Sequence, residues 1–433
     1  MGSAGPRSPH VLIIGAGMGG LFLAQFLRKQ NITFSIFERD ASLEARKPGW
    51  AIGLSMNDDF ASFMPDDVPP LRDTNHLLPL ELPSQFVMYP PGGATRIGVT
   101  DSAKTPCVRA NRGLLRRNML TGVDVQWGKK LERIEEDWKN NTVTAFFEDG
   151  TSALGDLLVG CDGTHSKVRE HVLGVSNTET LQPLPMAMIG GETTLEYHEP
   201  DKDGKECLLA RQLRLAFSSY MSIRPSGTFF CGVDRVSPNR DSARFYWFQF
   251  MRDATYGSED HWLRTASQEE RFKKVIEYIE ANEFVSEHVD IIYHGGAKDI
   301  TAEYQCFYDA VLPSLPTHGG RVFLIGDAAH PTTPFRGEGA IMAIKDARQL
   351  AGLLKEAVAA GEFDSDPSVF QEKLDTLQDE IARRGAEIVF KARRAITGRA
   401  GAADPKIKPT AWGYAVQPIP PYTGPLGLQV AEK

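Results

Sequence analysis

Cysteine is scarce in this 433-residue chain. Cys107, Cys161, Cys207, Cys231 and Cys306 are the only five, and no two form a Cys-x-x-Cys pair. An odd, scattered set excludes a disulfide framework and points to a reducing, cytoplasmic setting with free thiols. No set of His, Cys and carboxylate residues has ligand spacing along the chain, so no metal is expected. Lys and Arg never form a dense run, and the formal net charge is −8. That lacks the basic stripe of a nucleic-acid binder. No stretch approaches the roughly 20 apolar residues of a membrane span. Val11 to Leu27 follows Arg7 and superficially resembles a secretory leader, but glycines interrupt it. No internal repeat is visible.

What is present is ordinary in bulk. Hydrophobic residues make up 42% and charged residues 24%, a balance that supports a large core. The length suits roughly two to three domains.

His10 to Ile14 is a short apolar run that ends in glycines, and it reads as a buried strand. Gly17 to Gln30 has helical periodicity, and Thr33 to Phe37 is β-rich. Strand, glycine turn, helix and strand make one βαβ unit of a parallel sheet. Gln85 to Tyr89 reads as a strand and Asn111 to Leu120 as a helix. Val123 to Trp127, Leu131 to Glu135, Thr142 to Glu148 and Asp156 to Gly160 read as strands, with a hairpin turn at Asp149–Gly150. Leu213 to Ile223, Thr228 to Val233 and Ala243 to Met251 suggest an inserted antiparallel sheet. Gln268 to Ala281 is an amphipathic helix. Arg321 to Ile325 is a further buried strand. Gly339 to Ala360 and Ser368 to Ala395 read as long helices, and the tail after Gly398 is rich in Pro and Gly.

Three turns carry the chemistry. The first is Gly15–Ala16–Gly17–Met18–Gly19–Gly20, a GxGxxG between a strand and a helix. Glycines let the backbone approach a pyrophosphate, and the helix start offers free amides. Glu38 closes the next strand, where a carboxylate can accept ribose hydroxyls. The second is Gly160–Cys161–Asp162–Gly163, running on through His165 and Arg169. The third is Gly326–Asp327–Ala328–Ala329–His330–Pro331, continuing as Pro334–Phe335–Arg336–Gly337–Glu338–Gly339–Ala340.

With these three turns in this order, the chain resembles the group A flavoprotein monooxygenases, the para-hydroxybenzoate-hydroxylase-like enzymes. Within that family it looks most like tetracycline-inactivating enzymes and fungal secondary-metabolite hydroxylases. The shared landmarks run from about Val11 to Ala347. The resemblance implies an α/β fold: a Rossmann-like FAD domain in three pieces, an inserted antiparallel substrate sheet and C-terminal helices. The expected boundaries are residues 1–78, 107–180 and 301–400 for the FAD domain, 79–106 and 181–300 for the substrate domain, and 401–433 for the tail.

It further implies FAD as cofactor, NADPH or NADH as co-substrate, and O2 activated as a flavin C4a-(hydro)peroxide. One oxygen would pass to a hydrophobic or aromatic small molecule. Gly15, Ala16, Gly17, Met18, Gly19 and Gly20 would form the pyrophosphate turn, with Glu38 and Arg39 at the adenosine. Arg46 would face the flavin's phosphates or sugar chain. Arg116 and Asp327 would contact the ribityl chain. Asp162 lies in the motif implicated in FAD and nicotinamide binding. Gly337, Gly339 and Ala340 would lie beside the flavin ring.

Two departures stand out: Ile341 where the family often has Asn, and Arg336 where it often has Gly or Ala. Arg336 could bind an acidic substrate or point into solvent. His330 reads as a packing residue. From the inserted sheet, Arg214 and Tyr246 are candidates to hold a substrate oxygen, and Trp247 and Pro334 to line its pocket. No second GxGxxG follows a strand, so nicotinamide would bind transiently on the FAD domain. A monomer or homodimer is expected. The alternatives are another flavin enzyme on this scaffold (a reductase, oxidase or halogenase) or a non-catalytic carrier like the prenyl-GTPase dissociation inhibitors. The halogenase signature Trp-x-Trp-x-Ile-Pro is absent.

Overall fold

The computed structural model describes residues 8–45, 49–56, 60–91, 96–301, 303–312, 314–365, 367–397 and 410–431. A five-stranded sheet lies at its centre, in the order Val322–Leu324, Leu157–Gly160, Val11–Ile14, Phe34–Glu38 and Val125–Trp127. All neighbours run parallel. Helices cover a parallel sheet, which is why Val-Leu-Ile-Ile and Leu-Leu-Val-Gly read as unbroken buried runs. The helices Met18–Lys29 and Gly339–Ala360 pack against each other and against this sheet. Pro367–Thr397 packs on the edge strand Val322–Leu324, where Gln378 bonds both the amide and the carbonyl of Leu324. No helix among the described residues is long and apolar enough to cross a membrane.

Parallel register brings strand ends together. Ile14 pairs with Phe37 on one side and Gly160 on the other, and Gly160 pairs with Leu324. The residues after each strand therefore share one edge. Those residues are the three glycine turns and Glu38, the arrangement that makes a crevice at the carboxyl ends of such a sheet.

The second layer is a seven-stranded sheet: Met186–Glu196, Ser242–Arg252, Gly227–Val236, Ser219–Arg224, Gln85–Tyr89, Ile97–Thr100 and Gln417–Pro418. It is antiparallel apart from Ser219–Arg224 against Gln85–Tyr89. One face packs on the helices Leu208–Leu215, Gln268–Ala281 and Ser286–Gly295 in a core of its own. A meander of Leu131–Asp137, Thr142–Phe147 and Ser152–Gly155 flanks the parallel sheet, with its hairpin at Asp149–Gly150.

One expectation needs correction. Leu213 to Ile223 is not one strand. Leu209 and Leu213, four apart, are both buried on a helix, and the strand begins only at Ser219. The helix Ser286–Gly295, which packs against it, was not foreseen. The tail, for its part, supplies an edge strand at Gln417–Pro418.

His330 is buried, as a packing residue would be, but it is also an ion-pair partner. Its Nε2 lies 2.6 Å from Asp346 Oδ2, which also accepts the Gly326 amide at 3.0 Å. Arg384 donates to Asp346 Oδ1 at 2.7 Å. Burial alone disfavours the imidazolium, but the Asp346 carboxylate outweighs it and raises the His330 pKa. Burial would likewise raise Asp346, yet His330 and then Arg384 hold it low. The raised imidazole contributes stability below its unfolded pKa and loses it as pH climbs through the folded value. The lowered carboxylate contributes above its unfolded pKa and loses it as pH falls through the folded value. Asp346→Ala leaves the buried His330 imidazolium without its partner, while Arg384 keeps Glu380, and is expected to cost about 3–5 kcal/mol. Urea unfolding near neutral pH checks this. The deficit should shrink as pH rises through the His330 transition, and a deficit below about 1 kcal/mol would refute the role.

Candidate cofactor and substrate site

The glycines of the first turn are required for different reasons. Gly15 has φ +106°, and a Cβ there would stand 2.5 Å from the Cys161 carbonyl oxygen. A Cβ at Gly20 would come within 2.0 Å of the Gly15 carbonyl oxygen. A Cβ at Gly19 would make ordinary contact with Ile325 and Ala343 at 3.6 Å. Gly17 differs, because its nearest neighbour would be 3.9 Å away. Nothing in the protein forbids a side chain at Gly17. It leaves an open cradle at the start of the 12-residue helix Met18–Lys29, with no side-chain cap and no acidic residue in the first turn. Such a helix start accepts a phosphate, so the cradle fits a pyrophosphate.

The peptide of Ala16 is clamped from both sides. Its amide donates to Glu38 Oε2 at 2.9 Å, and its carbonyl accepts from Arg116 Nε at 3.3 Å. Glu38 Oε1 also accepts the Asp40 amide at 3.1 Å. Glu38 and Arg116 are both buried, and the Arg116 guanidinium lies over Trp127. Arg39 is exposed at the same edge, and Arg46 lies outside the described residues.

Asp162 turns inward. Its Oδ1 accepts from Ser166 Oγ at 2.5 Å, and its Oδ2 accepts the Lys167 and Val168 amides at 2.7 and 3.2 Å. It caps the helix Lys167–Leu173 and positions the turn, with its carboxylate already engaged. Burial raises its pKa. Burial also raises that of Asp327, opposed by His330 and Arg112. Arg169 went unassigned in the sequence reading and joins the second turn to the third. It is fully buried and donates to the carbonyls of Asp327 at 3.2 Å, of Ala328 at 3.0 Å and of Thr164. Arginine just after such a turn was its only signal in the sequence.

The third turn continues through a 3-10 turn at Pro334–Arg336 into the helix Gly339–Ala360, so the helix starts where expected. Gly337 takes φ +61°. A Cβ on Gly339 would lie 3.8 Å from Asp327 Oδ1. Arg336 is only slightly exposed, and its guanidinium is already engaged within the protein. It forms a two-pronged pair with Glu338, both bonds 2.9 Å, and donates to Thr410 Oγ1 at 2.5 Å. Ile341 packs between two apolar clusters. Trp412, from the tail, fills the space over Gly53, where a Cβ would meet its indole at 2.1 Å.

The sheet face turned toward these loops is aromatic. Tyr246, Phe248 and Phe250 alternate on one strand, with Phe230 beside them. Trp50 stacks on Tyr246, with centroids 5.6 Å apart. Phe335 from the 3-10 turn meets Phe250 at 4.7 Å. Behind Tyr246 stands Arg109, buried, which donates to its hydroxyl. Arg109 also donates to the Ser218 and Val233 carbonyls at 2.9 and 3.0 Å. His76 Nδ1 meets the Arg109 carbonyl, and its Nε2 lies 3.2 Å from Arg109 NH1. A carbonyl only accepts and a guanidinium only donates, so His76 is the neutral Nδ1–H tautomer. Burial and then Arg109 hold its pKa well below the ordinary value. Burial pushes the Tyr246 hydroxyl up to about 12, against the pull of Arg109.

Two sheet candidates lie elsewhere. Alternation sends Trp247 to the opposite face, into the helix-side core. Arg214 sits on the helix Leu208–Leu215, not on a strand. It forks onto Glu206 and donates to the Tyr422 and Gly424 carbonyls at 3.1 Å, which ties down the tail. Neither reaches the aromatic face. Arg109 and His76 were missed because their roles depend on strands distant in the chain.

Comparison with known proteins agrees with this geometry. Residues 92–389 match the FAD binding domain family, and residues 13–46 match an NAD(P)-binding Rossmann-like domain. The chain is 39% identical over 393 residues to the FAD-dependent monooxygenase thnD of Trichoderma harzianum, covering 90% of this chain and 93% of that protein. It is 30% identical over 403 residues to the FAD-dependent monooxygenase cctM of Talaromyces islandicus, covering 88% and 91%. Among solved structures, 2,6-dihydroxypyridine-3-hydroxylase from Arthrobacter nicotinovorans shares the fold with a TM-score of 0.66 at 17% identity, over 96% of this chain and 99% of that one. Klebsiella pneumoniae HpxO complexed with FAD and uric acid gives 0.61 at 21% identity, over 89% and 87%.

The two glycines separate fold from ligand. Gly15→Ala is expected to destabilise the flavin-free protein by about 1–3 kcal/mol, because it strains φ and clashes with Cys161. Gly17→Ala should leave that stability within about 0.5 kcal/mol and still lower the flavin absorbance of purified protein. Full flavin content in Gly17→Ala would show that the cradle is not the phosphate site.

Proposed function

Since this chain belongs to the FAD-dependent monooxygenases of the para-hydroxybenzoate-hydroxylase-like group, we propose that it inserts one oxygen atom of O2 into a hydrophobic, aromatic small molecule of secondary metabolism, with NADPH or NADH as reductant. The observation that carries this reading is the aromatic sheet face opposite the Pro334–Ala340 turns, with one buried polar centre, Tyr246 backed by Arg109.

FAD, when bound, supplies the hydride acceptance and dioxygen activation that no side chain can provide. Gly17 and the amides of the following helix would hold its pyrophosphate, Glu38 its adenosine ribose, and Arg116 and Asp327 its sugar chain. The start of Gly339–Ala360 brings a positive helix end to the same edge. The FAD-binding unit is assigned to residues 1–78, 107–180 and 301–400. The five strands of the parallel sheet all fall within those stretches, which supports the division. Nicotinamide is assigned to a transient position on that unit.

Tyr246 and Arg109 act on the substrate side. With its pKa raised to about 12, the phenol keeps its proton at neutral pH. The oxygen accepts from Arg109, so the hydroxyl hydrogen is offered to a substrate oxygen. Arg109 places a positive charge behind that hydrogen bond, which favours a phenol or enol as its oxygen gains negative charge. Phe248, Phe250, Phe335 and Trp50 present apolar surface that excludes water from the reacting carbon.

Aromatic candidates should accelerate NADPH or NADH oxidation and appear one oxygen atom heavier by mass spectrometry. Oxidation that no aromatic compound stimulates would count against the proposal. Tyr246→Phe is expected to retain full flavin content and to lower kcat by about 100-fold. An unchanged kcat would make Tyr246 a wall of the chamber and nothing more.

A further inference from the structure

We propose that Glu136, His171 and His318 form a binding site for one zinc(II)-class divalent metal ion, at the edge of the parallel sheet opposite the cofactor crevice. The three residues come from distant stretches, 35 and 182 positions apart. Glu136 lies on the meander strand Leu131–Asp137 and His171 on the helix Lys167–Leu173. His318 lies on the loop entering the N-terminal end of Val322–Leu324, whereas the crevice is at the C-terminal ends.

Their donor atoms converge within 4.8 Å of one another. Glu136 Oε1 is 2.7 Å from His171 Nε2 and 2.8 Å from His318 Nδ1. His318 Nε2 lies 3.1 Å from the Val172 carbonyl, which only accepts, so Nε2 carries a proton. In a neutral ring the Nδ1 lone pair then points at a carboxylate oxygen. Two electron-rich atoms at that separation call for a positive centre between them, a metal ion or a second proton. The outer Nε2–H···O=C bond is the support that fixes a metal-bound imidazole in its tautomer. His318 has φ +48°, a conformation unusual outside glycine, and Gly319 and Gly320 follow at +64° and +77°. The loop thus holds the ring in place. The histidine side chains are about a quarter exposed and that of Glu136 a tenth, so an ion and its waters have access.

Two imidazoles and one carboxylate select a transition-metal ion over magnesium or calcium. Zinc takes nitrogen at about 2.0–2.1 Å and carboxylate oxygen at about 2.0–2.2 Å. Small side-chain shifts bring the three donors to those distances, and water completes the shell. The bound ion would cross-link the meander, the helix after Asp162 and the loop that feeds Asp327. Its role is structural, because it has no part at the crevice.

The test uses the intact flavin-loaded protein after chelation. Calorimetric titration with zinc chloride is expected to show one saturable site per chain and a raised melting midpoint. Cobalt(II) should give the visible absorption of a low-symmetry nitrogen and oxygen site. His171→Gln and Glu136→Gln, both partly exposed, should keep the flavin spectrum and weaken zinc binding by more than about tenfold. The proposal is overturned if wild-type protein shows no saturable binding, or if both variants bind zinc as tightly as wild type. It is also overturned if nitrogen NMR shows a doubly protonated His318 that excess zinc does not displace.

Discussion

The rest of the molecule depends on how closely the Gly15 turn approaches the Cys161 carbonyl. Parallel pairing sets the two strand ends side by side, and left-handed φ together with the missing side chain lets the backbones meet. That contact places the Ala16 peptide between Glu38 and Arg116 and leaves Gly17 at the mouth of a helix. Arg169 then fastens the second turn to the third through backbone carbonyls, so Asp327 is fixed relative to Gly15 without touching it. Both terminal nitrogens of the buried Arg169 guanidinium meet acceptors, which helps keep such a charge inside.

The seven-stranded sheet follows a different rule. One face is occupied by three helices, so only the other can meet the cofactor unit. Alternation along Ser242–Arg252 therefore settles the roles of neighbouring residues. Tyr246 and Phe248 face the turns, while Phe245 and Trp247 fill the core behind. Arg109 reaches Tyr246 from a strand of the two-stranded ribbon Ile52–Ser55 and Cys107–Ala110, which borders both units. His76 completes that arrangement as a neutral acceptor.

Charged residues near the crevice are largely paired within the protein. Arg336 is held by Glu338 and Thr410, and Arg169 by backbone carbonyls of the second and third turns. An arginine so engaged shapes a loop and has little capacity left for a ligand. The tail behaves as part of the fold. Its Trp412 lies against Gly53 and near Gly337, and its last strand extends the seven-stranded sheet. The environment at the Pro334–Ala340 turn is thus set partly by residues that follow it by some 70 positions.

The sequence by itself determined most of the local elements and, through the family it resembles, the cofactor. Period-2 and period-3.6 runs marked the strands and long helices, and the three glycine turns with Glu38 and Asp327 marked a dinucleotide crevice, because glycine geometry and strand-end chemistry are local. The match of 92–389 to an FAD binding domain agrees with that reading. Only the tertiary structure decided which way side chains face and what they meet. Leu213 joined a helix because Leu209 shares its buried side. Trp247 turned away from the crevice because Tyr246 faced it. Arg109, His76 and Arg169 took their roles, and Glu136 met two histidines, through contacts across many tens of residues. Such contacts leave no periodic trace in the chain, since they depend on which strands pair and not on what lies next in sequence.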